Sequence, residues 1–423
     1  MISASPTTRG SGSSPPTRSR SARCCSSAAA SAIGGAADSF GVLVAARALQ
    51  GVFGALLAPS ALALLSTTFT DPEERGKAFG IFGAIAGGGA AVGLLLGGIL
   101  TDVLSWRWCL YVNLAIAVPT AIVALRYVVN QAHPQRPPLD LPGTAAASAG
   151  LFALVYGFSN SETNSWTHPV TIIMLAAAVV LLTAFVVIER RVAHPLLPLR
   201  VVADRTRGGS YLAIGISGIA LFAVFLFLTY FLQTTKGFSP IESGLAFLPM
   251  TAAIVITAAL VNTRFLPRIG PRPLLVLGMS LGAIAMVWLA QLEPDSGYAG
   301  HVLPGLLVLG VGMGNIFAPA IATATYGVEL RDTGVASAMV NTMQQVGGSI
   351  GTALLSSIFA SAAASFAEGK APSPQLAADA AVHGYTVAFW VAAGVFAAGA
   401  VIVGLTMKSI RVSEHAGEPV VAH

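Results

Sequence analysis

A chain of 423 residues with 55% hydrophobic and only 10% charged residues, at a mean hydropathy of +0.75, cannot fold in water without large exposed apolar patches. This composition excludes an ordinary soluble domain and predicts an all-α, polytopic membrane protein. The net charge of +5 is explained below by topology and implies no nucleic-acid partner. The three cysteines supply neither a disulfide framework nor metal-ligand spacing.

A membrane-crossing helix needs about 20 mostly apolar residues at about 1.5 Å rise each. Eleven stretches qualify, each bounded by charge, Pro or polar clusters. They run near 40–69, 78–104, 106–128, 141–159, 168–189, 207–233, 239–263, 273–292, 301–325, 334–363 and 381–407.

The first stretch carries Arg47, with Gln50 and Gly51 close by on the same side of the helix. A guanidinium at a helix centre costs about 2.5–3.5 kcal/mol on insertion scales, and such residues face a bundle interior or a watery cavity. No later span offers a carboxylate at comparable depth. Arg47 is therefore either satisfied by carbonyls of its own bundle or engaged, with Gln50, in proton coupling or substrate binding. The second stretch is a comb of glycines in which Gly89, Gly93 and Gly97 recur every four residues, followed by Gly98. One face of that helix is nearly flat, which lets backbones approach in lipid. The third opens with Trp106, Arg107 and Trp108, an interfacial anchor, and reaches Asn113, which is an interhelical hydrogen-bond donor or part of the substrate path.

Near the C-terminus, Asn341, Gln345, Gly348 and Thr352 form a polar stripe on one face of an apolar helix. Polar groups facing lipid would be unsatisfied, so the stripe points at other helices or at a water-filled cavity. Gly347 and Gly351 add a small-residue surface beside it and predict close helix packing there. Catalytic signatures are weak. Gly278–Gly282 matches a nucleophile elbow in form only, inside an apolar span with no preceding strand. No histidine falls at mid-membrane depth, and no phosphate-binding loop is present, so neither a metal site, an enzyme nor an ATP-driven pump is expected.

Cations fix the expected orientation. Every second loop carries them: Arg75 and Lys77; Arg126 and Arg136; Arg190, Arg191, Arg200, Arg205 and Arg207; Arg264, Arg268 and Arg272; Arg331; and Lys408 and Arg411. The intervening loops hold only Arg107, Lys236 and Lys370. The bias predicts a cytoplasmic C-terminus. Residues 1–30 break this pattern, because Arg9, Arg18, Arg20 and Arg23 fall on the side that should be poor in cations. The segment is rich in Ser, Pro, Thr and Arg and reads as a transit peptide, a disordered tail or a non-native start that replaces earlier spans. The last reading is the expectation.

Several segments together resemble the major facilitator superfamily, specifically the fourteen-span drug:proton antiporters of the EmrB/QacA type. They are ARALQG at 46–51, the glycine run at 83–100, WRWCLYVN at 106–113, HPLLPLR at 194–200 and NTMQQVGGSIGTAL at 341–354. The resemblance implies a partial N-terminal bundle over 31–128, two linking spans within 129–189 and a cytoplasmic loop over 190–206. It further implies a C-terminal six-helix bundle over 207–407 and a cytoplasmic tail over 408–423. Small-molecule substrates would exchange for protons across the cytoplasmic membrane, with the proton gradient as energy source and no cofactor. Gly89, Gly93, Gly97 and Gly98 would form the antiporter motif, although Leu94 stands where relatives of this type place a proline. The first spans of such proteins, and the acid that would partner Arg47, have no counterpart in this sequence. Substrate identity and oligomeric state are not legible.

Overall fold

The computed structural model describes residues 29–68, 89, 93, 96–127, 140–192, 195–325, 328 and 332–408. Ten long helices are found among them: α1 (Phe40–Thr68), α2 (Trp108–Tyr127), α3 (Leu141–Thr163), α4 (Pro169–Glu189), α5 (Arg205–Tyr230), α6 (Pro240–Leu260), α7 (Pro271–Leu289), α8 (Leu303–Thr325), α9 (Thr333–Ala367) and α10 (Pro374–Thr406). The eight from α3 to α10 are long and apolar enough to cross a bilayer, while α1 and α2 contribute the shorter described apolar runs Phe40–Gly54 and Trp108–Val123. The stretch expected at 78–104 lies mostly outside the described residues, as do residues 1–28 and the tail beyond 408.

The chain divides into two compact units, Met1–Ala58 with Leu104–Arg136, and Pro59–Val103 with Pro137–His423. In the first, residues 29–35 form a short helix. It packs through glycine: a Cβ at Gly35 would come within 2.7 Å of the Tyr111 ring, and one at Gly34 would touch Ala46 and Leu110 at 3.4 Å.

In the second unit, sequence punctuation starts the helices. Asp140 caps α3 by accepting the Gly143 amide at 2.9 Å. Asp204 caps α5 through the amides of Thr206 and Arg207. Ser239 and Glu242 form a reciprocal capping box on α6, and Ser373 caps α10. Gly270, at φ 77°, breaks the chain before Pro271 opens α7. α3 and α4 form a hairpin, and α3 also lies on α9. α5 is central, in contact with α8, α9 and α10, while α6 and α7 flank α8 and α7 meets α10. The core is aromatic and sulfur-rich, with Phe227, Phe231, Phe247, Met250, Met279, Phe389 and Phe396 fully or almost fully buried. Large apolar side chains also face outward, Val179 and Val180 at 66% exposure and Leu405 at 80%. Lipid covers such a surface at no cost, which water would not.

Candidate functional site

A groove of about 270 Å³ opens where α3, α5 and α9 meet. Its floor follows from glycine. Gly347 lies directly against the Gly215 carbonyl, and a Cβ at Gly351 would come within 2.5 Å of both Cα and O of Ile219. α9 and α5 thus touch backbone to backbone. The Phe222 ring lies over Gly348, its Cδ2 at 2.5 Å from where a Cβ would stand, and forms an apolar wall. Val155 and Ser159 of α3 complete the opposite side.

Apart from Ser159, the polar lining comes from α9. Thr352 Oγ1 donates to the Gly348 carbonyl at 2.9 Å and Ser349 Oγ to the Gln345 carbonyl at 2.9 Å, so both hydroxyls are satisfied within the helix. The Gln345 side-chain amide has no hydrogen-bond partner among the described residues and presents both donors and an acceptor to the groove. Gln345, Gly348 and Thr352 of the predicted stripe are therefore together. Asn341 is not a lining residue; its amide donates to the Ser337 carbonyl of its own helix at 3.5 Å. Among the described residues no ionisable side chain lines this groove. Its walls suit an amphipathic, uncharged molecular face.

The other predicted residues occupy the first unit. Arg47 is exposed, and its Nη1 donates to Gln50 Oε1 at 2.5 Å. Among the described residues no carboxylate pairs with it. A Cβ added at Gly51 would meet nothing within 4 Å among the described residues, which leaves bare backbone one turn further along. Asn113, expected to bridge helices or line a path, donates instead to the Cys109 and Leu110 carbonyls of α2 at 3.2 and 3.3 Å. An amide in lipid takes the nearest acceptor, and the i−4 carbonyl is always in reach. Trp106 and Trp108 are half exposed. Arg107 does more than anchor. Its Nε and Nη2 donate to the carbonyls of Gly35 and Ala37 at 3.1 and 2.8 Å, placing a cation at the C-terminal end of the 29–35 helix.

The glycine comb lies largely outside the described residues, which include Gly89, Gly93, Gly97 and Gly98. A Cβ added at Gly89, Gly93 or Gly97 would meet no side chain or neighbouring helix within 4 Å among the described residues, and the Gly97 carbonyl accepts the Thr101 hydroxyl at 2.7 Å. Gly98 alone makes a close approach, with the Pro240 carbonyl at 2.8 Å from a Cβ position.

Three links went unforeseen in the sequence. Trp166 Nε1 donates to Ser357 Oγ at 2.7 Å, tying the α3–α4 turn to α9. Arg200 pairs with Asp332 at 2.6 Å, tying the segment after α4 to the start of α9. Asp140 and Glu189 are both buried at one end of the α3–α4 hairpin. The only signal for these was a polar residue beside a helix boundary, which does not name its partner.

Eight helices long and apolar enough to cross a bilayer, with a glycine-cemented polar groove among them, are the frame of a multi-pass membrane protein. The Major Facilitator Superfamily model matches residues 18–352, and the chain belongs to that family. It is 47% identical over 383 residues to the puromycin resistance protein pur8 of Streptomyces alboniger, an alignment covering 90% of this chain and 76% of that protein. It is 37% identical to the cephamycin export protein CmcT of Amycolatopsis lactamdurans, over 77% of this chain and 68% of that one. It is 32% identical to the tetracenomycin C resistance and export protein of Streptomyces glaucescens, over 79% and 62% respectively.

Proposed function

We propose that this protein exports small, amphipathic, drug-like compounds across the cytoplasmic membrane in exchange for protons, by alternating access. One observation carries the reading: 47% identity along 90% of the chain to a protein named for puromycin resistance. The groove at Gln345 adds chemical support, since an uncharged wall with one free amide suits amphipathic solutes of varied shape. Arg47 supports the coupling. A guanidinium in a span, hydrogen-bonded to an amide and to no acid among the described residues, is costly unless it works on protons or substrate. In this proposal residues 31–128 belong to the N-terminal bundle of a fourteen-span antiporter, α3 and α4 are its linking spans, and 207–407 form the C-terminal bundle. The C-terminus is cytoplasmic.

Reconstituted into liposomes with an imposed proton gradient, the protein is expected to move puromycin, and an uncoupler should collapse the flux. Flux that persists with the uncoupler would reject proton coupling; absence of flux for every compound tried would reject export. Arg47→Ala should insert normally and lose transport. Wild-type transport by that variant would remove Arg47 from the coupling machinery.

A narrower substrate range is a second reading, favoured because each of the three relatives above is named for one antibiotic. Competition among puromycin, a cephamycin and tetracenomycin C separates the two: a broad exporter is inhibited by all three, a dedicated one by a single compound.

A further inference from the structure

One end of the α3–α4 hairpin brings two acids together inside the protein. Asp140 is 7% exposed and Glu189 4%. Each spends one oxygen locally. Asp140 Oδ1 accepts the Gly143 amide at 2.9 Å, and Glu189 Oε2 accepts the Leu197 amide at 3.0 Å, which holds the segment after α4 against the hairpin. The remaining oxygens, Asp140 Oδ2 and Glu189 Oε1, are buried with no hydrogen-bond partner. Both crowd the position of a missing side chain: a Cβ on Gly143 would stand 2.9 Å from Glu189 Oε1 and closer still to Asp140 Oδ2. The absence of that Cβ is what admits the two oxygens to the same small volume.

Among the described residues no cation resolves the encounter; Arg136, shortly before Asp140, lies outside them. Neither acid has an ion pair among the described residues. Arg190 and Arg191 are exposed on the turn beyond Glu189, and α4 contains no other ionisable residue. His194, in the same loop, lies outside the described residues. On α3, Tyr156 and Glu162 sit more than three turns further along. α9, the other helix against α3, has no ionisable residue between Thr333 and Ala367, and Asp332 before it is bound to Arg200. Two ionised carboxylates so placed would lose hydration and repel each other at once. A single proton removes the repulsion and gives one orphan oxygen a donor and the other an acceptor role.

We propose that Asp140 and Glu189 form one proton-binding site, a carboxylic acid and a carboxylate that share a proton between Oδ2 and Oε1. The site belongs to the linking hairpin and stands apart from Arg47 and from the Gln345 groove in sequence, so it holds whether or not export is proton-driven. Its loss of the proton restores repulsion between the α3 cap and the Leu197 segment, and loosens that end of the hairpin.

Infrared difference spectroscopy of the full chain in lipid nanodiscs, taken from acid to alkaline pH, tests this. A protonated-carboxyl band is expected that titrates away on alkalinisation and is missing from both Asp140→Asn and Glu189→Gln, in each of which an amide N–H replaces the shared proton. Carbon-13 labelling of aspartate and of glutamate carboxyls should each shift the wild-type band, so the outcome does not depend on either variant folding. The folded pair holds a proton that the unfolded chain has released at neutral pH. The wild-type melting temperature should therefore fall as pH rises through the titration, with no such slope in the variants. A wild type without the band, or a band unmoved by both labels, overturns the proposal. So does a wild type fully ionised at neutral pH whose melting temperature climbs with added calcium, which would mark a cation site instead.

Discussion

Gln345 is the one lining residue of the groove whose side chain is polar, long and unsatisfied, whereas Ser349 and Thr352 spend their hydroxyls on their own helix. Gln345 can give a solute a hydrogen bond without first breaking one, and reaches further into the groove than the short Ser159 hydroxyl. A net hydrogen bond contributes about 0.5–1.5 kcal/mol, roughly a 2- to 10-fold change in affinity. Gln345→Leu, close in size and inert in hydrogen bonding, is therefore expected to raise the half-saturating concentration for a hydrogen-bonding substrate by that factor, with expression unchanged. Thr352→Val should change it far less. Transport kinetics in proteoliposomes give both values, and equal effects of the two substitutions would remove Gln345 from the substrate path.

Among the elements, α9 shows which features a sequence discloses and which it hides. Its glycines at 347 and 351 were recognisable as a packing surface because small residues four apart can have little other purpose on an apolar helix, but the partner, Gly215 and Ile219 of α5, was not. The ends were misjudged in one direction. α9 runs to Ala367 and α10 begins at Pro374, several residues beyond the expected limits of 363 and 381. Hydropathy reports the thickness of the hydrocarbon layer, about 30 Å, whereas backbone hydrogen bonding continues as long as Ala-rich sequence and a cap permit. At about 1.5 Å per residue a helix of 35 residues is about 50 Å long. Asn113 was harder still, since a residue type fixes what a side chain can do and not which neighbour arrives.

The contact between α9 and α5 makes a sharp forecast. An added methyl at Gly347 or Gly351 meets backbone, which cannot rotate away, so Gly347→Ala and Gly351→Ala should each destabilise by about 1–3 kcal/mol. Gly394→Ala, on α10 with nothing within 4 Å, should be neutral or slightly stabilising. Thermal unfolding in one detergent compares the three, and equal melting temperatures would refute the close approach. The same helix is held at its start by Arg200 and Asp332, of which Asp332 is 9% exposed and Arg200 56%. Arg200→Ala strands a buried carboxylate, so it should cost more than Asp332→Asn, and the double variant should recover part of the loss. The pair is half in water, so the coupling energy of that cycle should be at most about 1 kcal/mol and shrink with salt.

At the scale of the whole molecule, membrane crossings and charge constrain each other. Eight spans separate Asp140 from Lys408, an even number, so both ends of this stretch emerge on one side of the bilayer. On that side fall Arg190, Arg191, Arg200, Arg205, Arg207, Arg264, Arg268, Arg272 and Lys408; the only Lys or Arg of the alternate turns are Lys236 and Lys370, with Trp166 in one turn and Trp288 at a helix end beside another. Insertion retains arginine and lysine on the cytoplasmic face, and indole rings settle at the headgroup layer. The hairpin end bearing Asp140 and Glu189, the Arg200–Asp332 pair and the C-terminal end of α10 should therefore all face the cytoplasm. In a chain whose native cysteines Cys24, Cys25 and Cys109 are replaced by serine, single cysteines at Ser165 and Gly297 should react with an impermeant maleimide from outside intact cells. Cysteines at Arg191 and Lys408 should react only after permeabilisation. Labelling of Lys408→Cys in intact cells would invert the molecule, and labelling of Ser165→Cys together with Arg191→Cys would mean that α4 does not cross the membrane.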